Sequence, residues 1–391
     1  MEEIQKAAEI AQEIIDKQAA SNPDIKKMMD IVHKFVQKEK VLCYGGTAIN
    51  NILSKENQFY DPKYDIPDYD FFSMTPQEDC KKLARILKKE FNDVEAKPGV
   101  HLGTFKVFCN YTGVADISSM DSEIFKKLWK ESIIKDQIHY VPANFLRMNV
   151  YLELSRPMGF VERWKKVYSR LQLLNKEYPI VCPTTHENPN QSDFKHKIED
   201  LLIREKIVLL GFNASSLQEH KQIWELPLDL LVEEKDVPRI TKELLTIFGK
   251  GHAKARSYEE YGELLPAHTD IIDGKLVARL YETMACHSYH ELRSGLRIGS
   301  IPTLLNFFFA MLYADKEFAE HTTRQRIICT AQRLVDMAND SSKRRFELLT
   351  PITCIGKQKD LLDMKKERAE LYQKASKNPA LFKKYFFSYK P

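Results

Sequence analysis

The chain has 391 residues, 43% of them hydrophobic and 29% charged, which is the composition of folded domains and enough length for two or three of them. Its 59 basic and 55 acidic side chains leave a net charge of +4, which excludes a polycation gripping nucleic acid with its whole surface; any such contact needs a local groove. Seven cysteines, no two within four residues of each other, exclude a zinc ribbon or a redox Cys-x-x-Cys and read as reduced, mostly buried thiols of a cytosol-like compartment.

The N-terminus, MEEIQKAAEIAQEII, is charged and amphipathic, unlike a signal peptide. Residues 1–39 read as helices, the second with Asn22 as N-cap and Pro23 in its first turn. From Val41 the pattern changes: a short strand passes through Gly45 and Gly46 into a helix from Thr47 to near Leu53. NQFYDPKYDIPD is a loop and YDFFSM a strand, followed by a helix that begins at Thr75. HLGTFKVFCNYTGVADISSM reads as two strands around a turn near Thr112 and Gly113. This mixed order implies an α+β unit ending near residue 155. RWKKVYSRLQLLNKEY (163–178) is a helix with a basic face, and PIVCPTTHENPNQSDF (179–194) an exposed linker. IPTLLNFFFAMLY (301–313) is too short to span a bilayer and reads as a buried helix, so no membrane is expected. The charge of residues 356–377 reads as a solvated helix face rather than an RNA-binding one. The expected domains are therefore N-terminal helices (1–39), a catalytic unit with its basic helix (40–178), a linker (179–194), a second α+β unit (195–296) and a helical C-terminal region (297–391).

Chemistry concentrates in PDYDFFS. Asp68 and Asp70 lie two apart on an expected strand, so both point to one face with Cα atoms about 7 Å apart. Such spacing lets two carboxylates share a pair of divalent ions. A third acid, Asp116, sits among small and apolar neighbours in VADIS, on a strand of its own. Anions at a core edge are costly unless cations compensate them. Asp-x-Asp alone is often a turn or a cap; the Gly-Gly turn upstream and the third Asp downstream make it a metal-dependent phosphoryl-transfer pattern. Backbone N–H groups at Gly45 and Gly46 and at the following helix N-terminus favour a polyphosphate, and glycine permits close approach. Asp116 is then the acid nearest an attacking hydroxyl, and pyrophosphate leaves.

These residues resemble a known family. GGTA before a helix, DYDFF on a strand and ADI on a later one look like the nucleotidyltransferase superfamily that includes DNA polymerase β. YGGTAINNIL, IPDYDFFS, HLGTFKVFCNYTGVADIS, YLELSRP and RWKKVYSRLQLLN together resemble the poly(A) polymerase catalytic subunits of large cytoplasmic DNA viruses, the mimivirus-like enzymes more than those of poxviruses. The resemblance implies a polymerase-β-like α+β catalytic domain that adds AMP from ATP to mRNA 3′ ends without a template. It implies that Gly45, Gly46 and Thr47 bind the triphosphate and that Asp68, Asp70 and Asp116 hold two Mg²⁺ or Mn²⁺ ions. It also implies RNA as partner, either a homodimer or a processivity subunit, and the host cytoplasm or the virion as location. The metal ligands alone leave open a terminal uridylyl-, CCA-adding or small-molecule adenylyltransferase; a non-catalytic RNA-binding scaffold is a further alternative, against which the intact acid triad argues. Lys166 and Arg170, at i and i+4 on the basic helix, are candidates for contacting the triphosphate or the primer backbone, against a solvated helix face. Tyr168 of the same helix reads as a base-stacking residue or, more simply, as core.

Residues 208–272 echo the first unit. VLLGFNASSL parallels VLCYGGTAINNIL, LPLDLLVEEKDVPRI parallels IPDYDFFSMTPQEDC, and AHTDII parallels GVADIS. Asp229 then matches Asp70 and Asp270 matches Asp116, while Pro227 stands at Asp68 and Phe212 at Gly46. The expectation is a degenerate nucleotidyltransferase-like domain without chemistry, walling one side of a nucleotide or RNA cleft. In ACHSYHEL, Cys286, His287 and His290 are too few for zinc and read as core and surface residues.

Overall fold

The computed structural model describes residues 2–183, 194–249, 252–262, 264–314 and 322–391. They form two compact units, 1–146 with 360–391, and 147–359. No helix among the described residues is long and apolar enough to cross a membrane.

The first unit opens with α1 (Glu2–Ser21) and α2 (Pro23–Lys38). The Asn22 side chain accepts hydrogen bonds from the Asp24 and Ile25 N–H groups, and Pro23 takes the first helical position, where an N–H would lack a partner. Met28, Met29, Val32, Phe35 and Val36 bury one face of α2. The chain continues through β1 (Leu42–Tyr44), α3 (Gly45–Ile52), β2 (Asp70–Ser73), α4 (Pro76–Lys88), β3 (Val94–Pro98), β4 (Thr104–Cys109), β5 (Thr112–Ser119), α5 (Ser122–Lys130), β6 (Ile133–Lys135) and β7 (Ile138–Tyr140). The strands form one sheet in the order β3-β4-β5-β2-β1-β7-β6. The pairs β2–β5 and β1–β7 are parallel and the rest antiparallel. β4 alternates: Phe105, Val107 and Cys109 are buried, which leaves Thr104, Lys106 and Phe108 on the other face. The β4–β5 turn falls at Asn110 and Tyr111, with φ of 46° and 64°, earlier than the expected Thr112–Gly113. Two successive left-handed residues suit the twist of a tight hairpin.

The second unit begins within α6 (Ala143–Leu154) and continues with α7 (Trp164–Glu177) and α8 (Lys195–Arg204). Next come β8 (Val208–Leu209), α9 (Gly211–Gln218), β9 (Leu228–Val232), α10 (Val237–Gly249), β10 (Lys254–Tyr258), β11 (His268–Asp273), β12 (Lys275–Glu282), β13 (His287–Glu291) and β14 (Arg297–Gly299). α11 (Ile301–Met311) is buried at every position, as its apolar sequence implies; α12 (Arg324–Asn339) and the short β15 (Cys354–Ile355) complete the unit.

The second sheet runs β10-β11-β12-β9-β8-β14-β13-β15. Its first seven strands reproduce the first sheet's order, and their pair directions also agree: β12–β9 and β8–β14 are parallel and the others antiparallel. Even the irregularity recurs, at Val107/Phe108 in one sheet and Ile271/Ile272 in the other.

α13 (Leu361–Ala375) and α14 (Pro379–Phe386) return to the first unit. Beyond them, Tyr389 and Ala96 exchange both backbone hydrogen bonds, at 2.8 and 2.9 Å, so the chain's last residues cover the outer edge of β3. The ring of Phe387 packs on Phe105, centroids 5.8 Å apart.

These units cut the chain differently from the expected boundaries. The basic helix α7 packs within the second unit, where Asn175 accepts from Arg147 Nε at 2.7 Å and Tyr168 donates to the Ala338 carbonyl. Most of the expected linker, 184–193, lies outside the described residues. The thiols also differ from expectation. Cys43, Cys80 and Cys109 are free and buried, but Cys182 pairs with Cys329 and Cys286 with Cys354. The partners are 147 and 68 residues apart, so only the tertiary fold brings them together.

Candidate functional site

β1 leads extended into Gly45, whose φ of 78° begins α3. This glycine is required twice. The left-handed backbone disfavours any Cβ, and a Cβ here would stand 2.8 Å from Asp70 Oδ2. Gly46 takes ordinary helical backbone, so its missing side chain serves the space in front of the helix rather than the backbone. The first N–H groups of α3 have no intrahelical partner and carry its positive end. Tyr44 holds the cap position of α3 with no side-chain bond, and Thr47 is buried inside the first turn.

β2 carries Asp70 beside this turn. The strand starts at Asp70 itself, so Asp68 lies in the extended approach and is exposed, while Asp70 is half-buried. The approach is nonetheless tied to β5, because Asp116 N donates to the Tyr69 carbonyl at 2.9 Å. Asp70 and Asp116 are direct partners across parallel strands, about 4.8 Å apart by sheet spacing. Two like charges on facing positions repel, so positive charge beside them is favourable.

The next strand supplies it. Lys106, across from Asp116 on β4, places its ammonium 2.6 Å from Asp116 Oδ2. Burial holds the Asp116 carboxyl above its ordinary pKa; Lys106 opposes the rise and the charge of Asp68 adds to it. One row across the sheet thus reads Tyr44, Asp70, Asp116, Lys106. Tyr44 is fixed by stacking on Phe72 at 3.9 Å and by its hydroxyl, 3.0 Å from Ser118 Oγ. Lys106 and Tyr44 were not anticipated as site residues. Lys106 had a signal, being the single charge in an otherwise apolar alternation on an expected strand.

The donor set suits a hard divalent cation, since carboxylate oxygens are the ligands Mg²⁺ and Mn²⁺ take. As the side chains stand, no three His, Cys, Asp or Glu among the described residues are gathered closely enough to hold an ion. Asp116 is turned to Lys106 instead, at 2.6 Å.

Lys166 and Arg170 are not a shared exposed face. They sit on α7 of the second unit, Lys166 exposed but Arg170 only 9% exposed, with its charge felt by Glu153. The cysteine-histidine group is likewise no metal site: Cys286 is in a disulfide, His287 is buried, and His290 stacks on Phe346 at 3.9 Å.

The second unit contains the echo, with one correction. Gly211, φ 61°, lies over the Asp229 carboxylate as Gly45 lies over Asp70, and Phe212 and Pro227 stand at the places of Gly46 and Asp68. The partner of Asp229 on the neighbouring parallel strand, however, is Arg279, not Asp270. Asp270 is one strand further out, at the place of Lys106, and binds Arg279 Nε and Nη2 at 2.6 and 2.9 Å. Acid and base have exchanged strands: Asp116–Lys106 in one sheet is Arg279–Asp270 in the other. The misalignment arose because AHTDII looks like GVADIS, while the true counterpart is LVARLY, with arginine at the acid's place. A buried arginine stands at the position of Asp116, and the Phe212 ring lies 3.8 Å from the Arg326 guanidinium.

Residues 30–160, which contain the Gly45 turn and all three acids, match the family model for the poly(A) polymerase catalytic subunit. A protein of African swine fever virus named a poly(A) polymerase catalytic subunit is 30% identical over 211 residues, 52% of this chain and 43% of that protein. One of Acanthamoeba polyphaga mimivirus with the same name is 30% identical over 158 residues, 39% of this chain and 26% of that protein. The chain thus spans less than half the length of these curated relatives. The crystal structure of the Megavirus polyadenylate synthase aligns with a TM-score of 0.82, covering 99% of this chain and 85% of that one at 20% identity. That likeness shows a shared fold with the Megavirus protein, a mixed α and β one as expected from the sequence.

Proposed function

We propose that this chain, which carries a poly(A) polymerase catalytic subunit domain over residues 30–160, is a polynucleotide adenylyltransferase that adds AMP from ATP to RNA 3′ ends without a template. The observation that carries the proposal is the junction of Gly45 with Asp70 and Asp116, which puts an anion-binding helix start against a pair of facing acids.

In this reading the N–H groups of Gly45, Gly46 and Thr47 bind the triphosphate, the helix dipole favouring its charge. Asp68, Asp70 and Asp116 hold two Mg²⁺ or Mn²⁺ ions, which neutralise the phosphates and acidify the attacking hydroxyl when bound. Asp116, the acid furthest from the turn along the row, faces the RNA 3′ hydroxyl, and Asp70 faces the α-phosphate. Lys106 compensates Asp116 before substrates arrive, which lowers the cost of keeping an empty acidic cleft. The hydroxyl oxygen then bonds to the α-phosphorus, its proton passing to Asp116, as the bond to the pyrophosphate oxygen breaks. The second unit does no chemistry, since Arg279 and Phe212 stand where acid and glycine are needed; its part, and that of Lys166, is in holding RNA or nucleotide. RNA and ATP are the partners, with a homodimer or a processivity subunit as the assembly and the host cytoplasm or virion as the location.

Incubation with an RNA primer, Mg²⁺ or Mn²⁺ and one NTP at a time tests this. Extension with ATP alone, lost in Asp68→Ala and Asp70→Ala, is expected. Extension with UTP instead would make it a terminal uridylyltransferase, and no extension with any NTP would leave a scaffold.

A further inference from the structure

Behind the catalytic strand lies a second cavity. Asp68 and Asp70 point to one face of the chain, so Tyr69 between them points to the other. There Tyr69 is buried, and its hydroxyl is 2.9 Å from His33 Nδ1 of α2. Between α2, α3 and the 58–67 loop is a space of about 460 Å³, of a size to take a nucleoside.

Its wall on α3 is a row at helical spacing, Thr47, Asn50 and Asn51. Asn50 is fully engaged: its oxygen accepts from the Phe59 and Tyr60 N–H groups at 2.8 and 3.0 Å, and its amide donates to Asn51 at 3.1 Å. Asn51 in turn donates to the Tyr140 hydroxyl at 3.1 Å. Thr47 breaks the pattern. Its side chain is 5% exposed and its hydroxyl has no hydrogen-bond partner. A buried hydroxyl left unpaired is costly, and its residue lines a space large enough for a ligand.

The chemistry of the walls selects that ligand. Tyr60, Tyr69 and Tyr140 offer aromatic surface, while Thr47, Asn51 and His33 offer hydrogen-bonding groups. The charged lining is one base, Lys26, against two acids, Asp65 and Asp136, which disfavours a phosphate. We infer that this cavity binds an uncharged heteroaromatic ring, the base of a nucleoside or of an RNA residue, with Thr47 Oγ1 as one of its hydrogen-bond partners. The site is distinct from the metal-dependent one and stands whether or not the chain extends RNA. Its occupant would buttress Tyr69, and with it the two acids on either side.

The probe is adenosine, which lacks phosphate, titrated by ligand-observed NMR in EDTA to suppress binding at the acids. Wild type and Asp70→Asn should bind alike. Ile66→Trp, which fills the cavity from the loop, and Thr47→Val, which keeps the shape but removes the hydroxyl, should each weaken adenosine about tenfold or more, with folding verified by circular dichroism. Competition by a short oligoadenylate would assign the site to an RNA base, and its absence to a free nucleoside. No binding to wild type would overturn the inference. So would binding lost in Asp70→Asn yet kept in Ile66→Trp and Thr47→Val.

Discussion

Removing the Arg279 guanidinium tests the view that the second sheet carries an internal cation where the first binds an external one. Arg279 is 2% exposed and bonds both oxygens of Asp270, itself 4% exposed, with Asp229, 3% exposed, as its other strand neighbour. Arg279→Met therefore leaves two buried carboxylates facing a thioether. Breaking a buried pair from one side costs about 3–5 kcal/mol, whereas replacing both partners by apolar groups is near neutral. For a unit of this size that corresponds to a fall of about 6–20 °C in its melting transition. Calorimetry at pH 7.5, with the disulfides kept oxidised, should show one transition moving by that amount while the other, from the first unit, stays in place. Arg279→Met with Asp270→Leu should recover most of the loss. The pH dependence has a definite sign. Burial pushes the Asp229 carboxyl up to about 6. A raised folded-state pKa means stability is greatest below the ordinary carboxylate value and falls as pH rises through about 6. Arg279 opposes that rise, so the single variant should lose less at pH 5 than at pH 7.5. A single variant as stable as wild type, or a double variant no better than the single, would refute the reasoning.

Three further outcomes follow. Gly46→Phe, which copies the second unit into the first, should leave the melting temperature nearly unchanged and abolish ATP binding by titration; retained binding would show that the turn is not the triphosphate site. Gly45→Ala should instead destabilise by about 1–2 kcal/mol or more in denaturant titrations, because it places a Cβ in left-handed backbone against Asp70. Reducing the Cys182–Cys329 and Cys286–Cys354 disulfides should lower second-unit stability by about 2–5 kcal/mol per bridge and leave the first unit's transition alone; thiol titration of the untreated protein checks that three, not seven, are free.

The first unit was legible where local patterns carry the information. Asn22-Pro23 marks a helix start, alternation marks β4, and GG before a helix marks the turn. Asp70 and Asp116 could be placed on strands from their apolar surroundings, whereas Asp68, expected on the same strand as Asp70, lies in the approach to it. What stayed hidden depends on pairing between distant segments. The exchange of acid and base between β11 and β12 is invisible until the register is known, since HTD keeps the acid of VAD while VAR, which shares its Val-Ala, does not. The disulfides are non-local for the same reason, and the burial of Arg170 reflects where α7 packs, not its own composition.

The two backbone bonds between Ala96 and Tyr389 have a consequence for synthesis. A nascent chain can make α1 to β7 early, yet β3 then presents a bare strand edge of the kind that recruits other chains. That edge is closed only when residue 389 has left the ribosome, so the candidate catalytic half is completed after the half that follows it. Ribosomes stalled anywhere between residues 150 and 380 should therefore display a first unit that is sticky and protease-sensitive, and a truncation at residue 378 should aggregate.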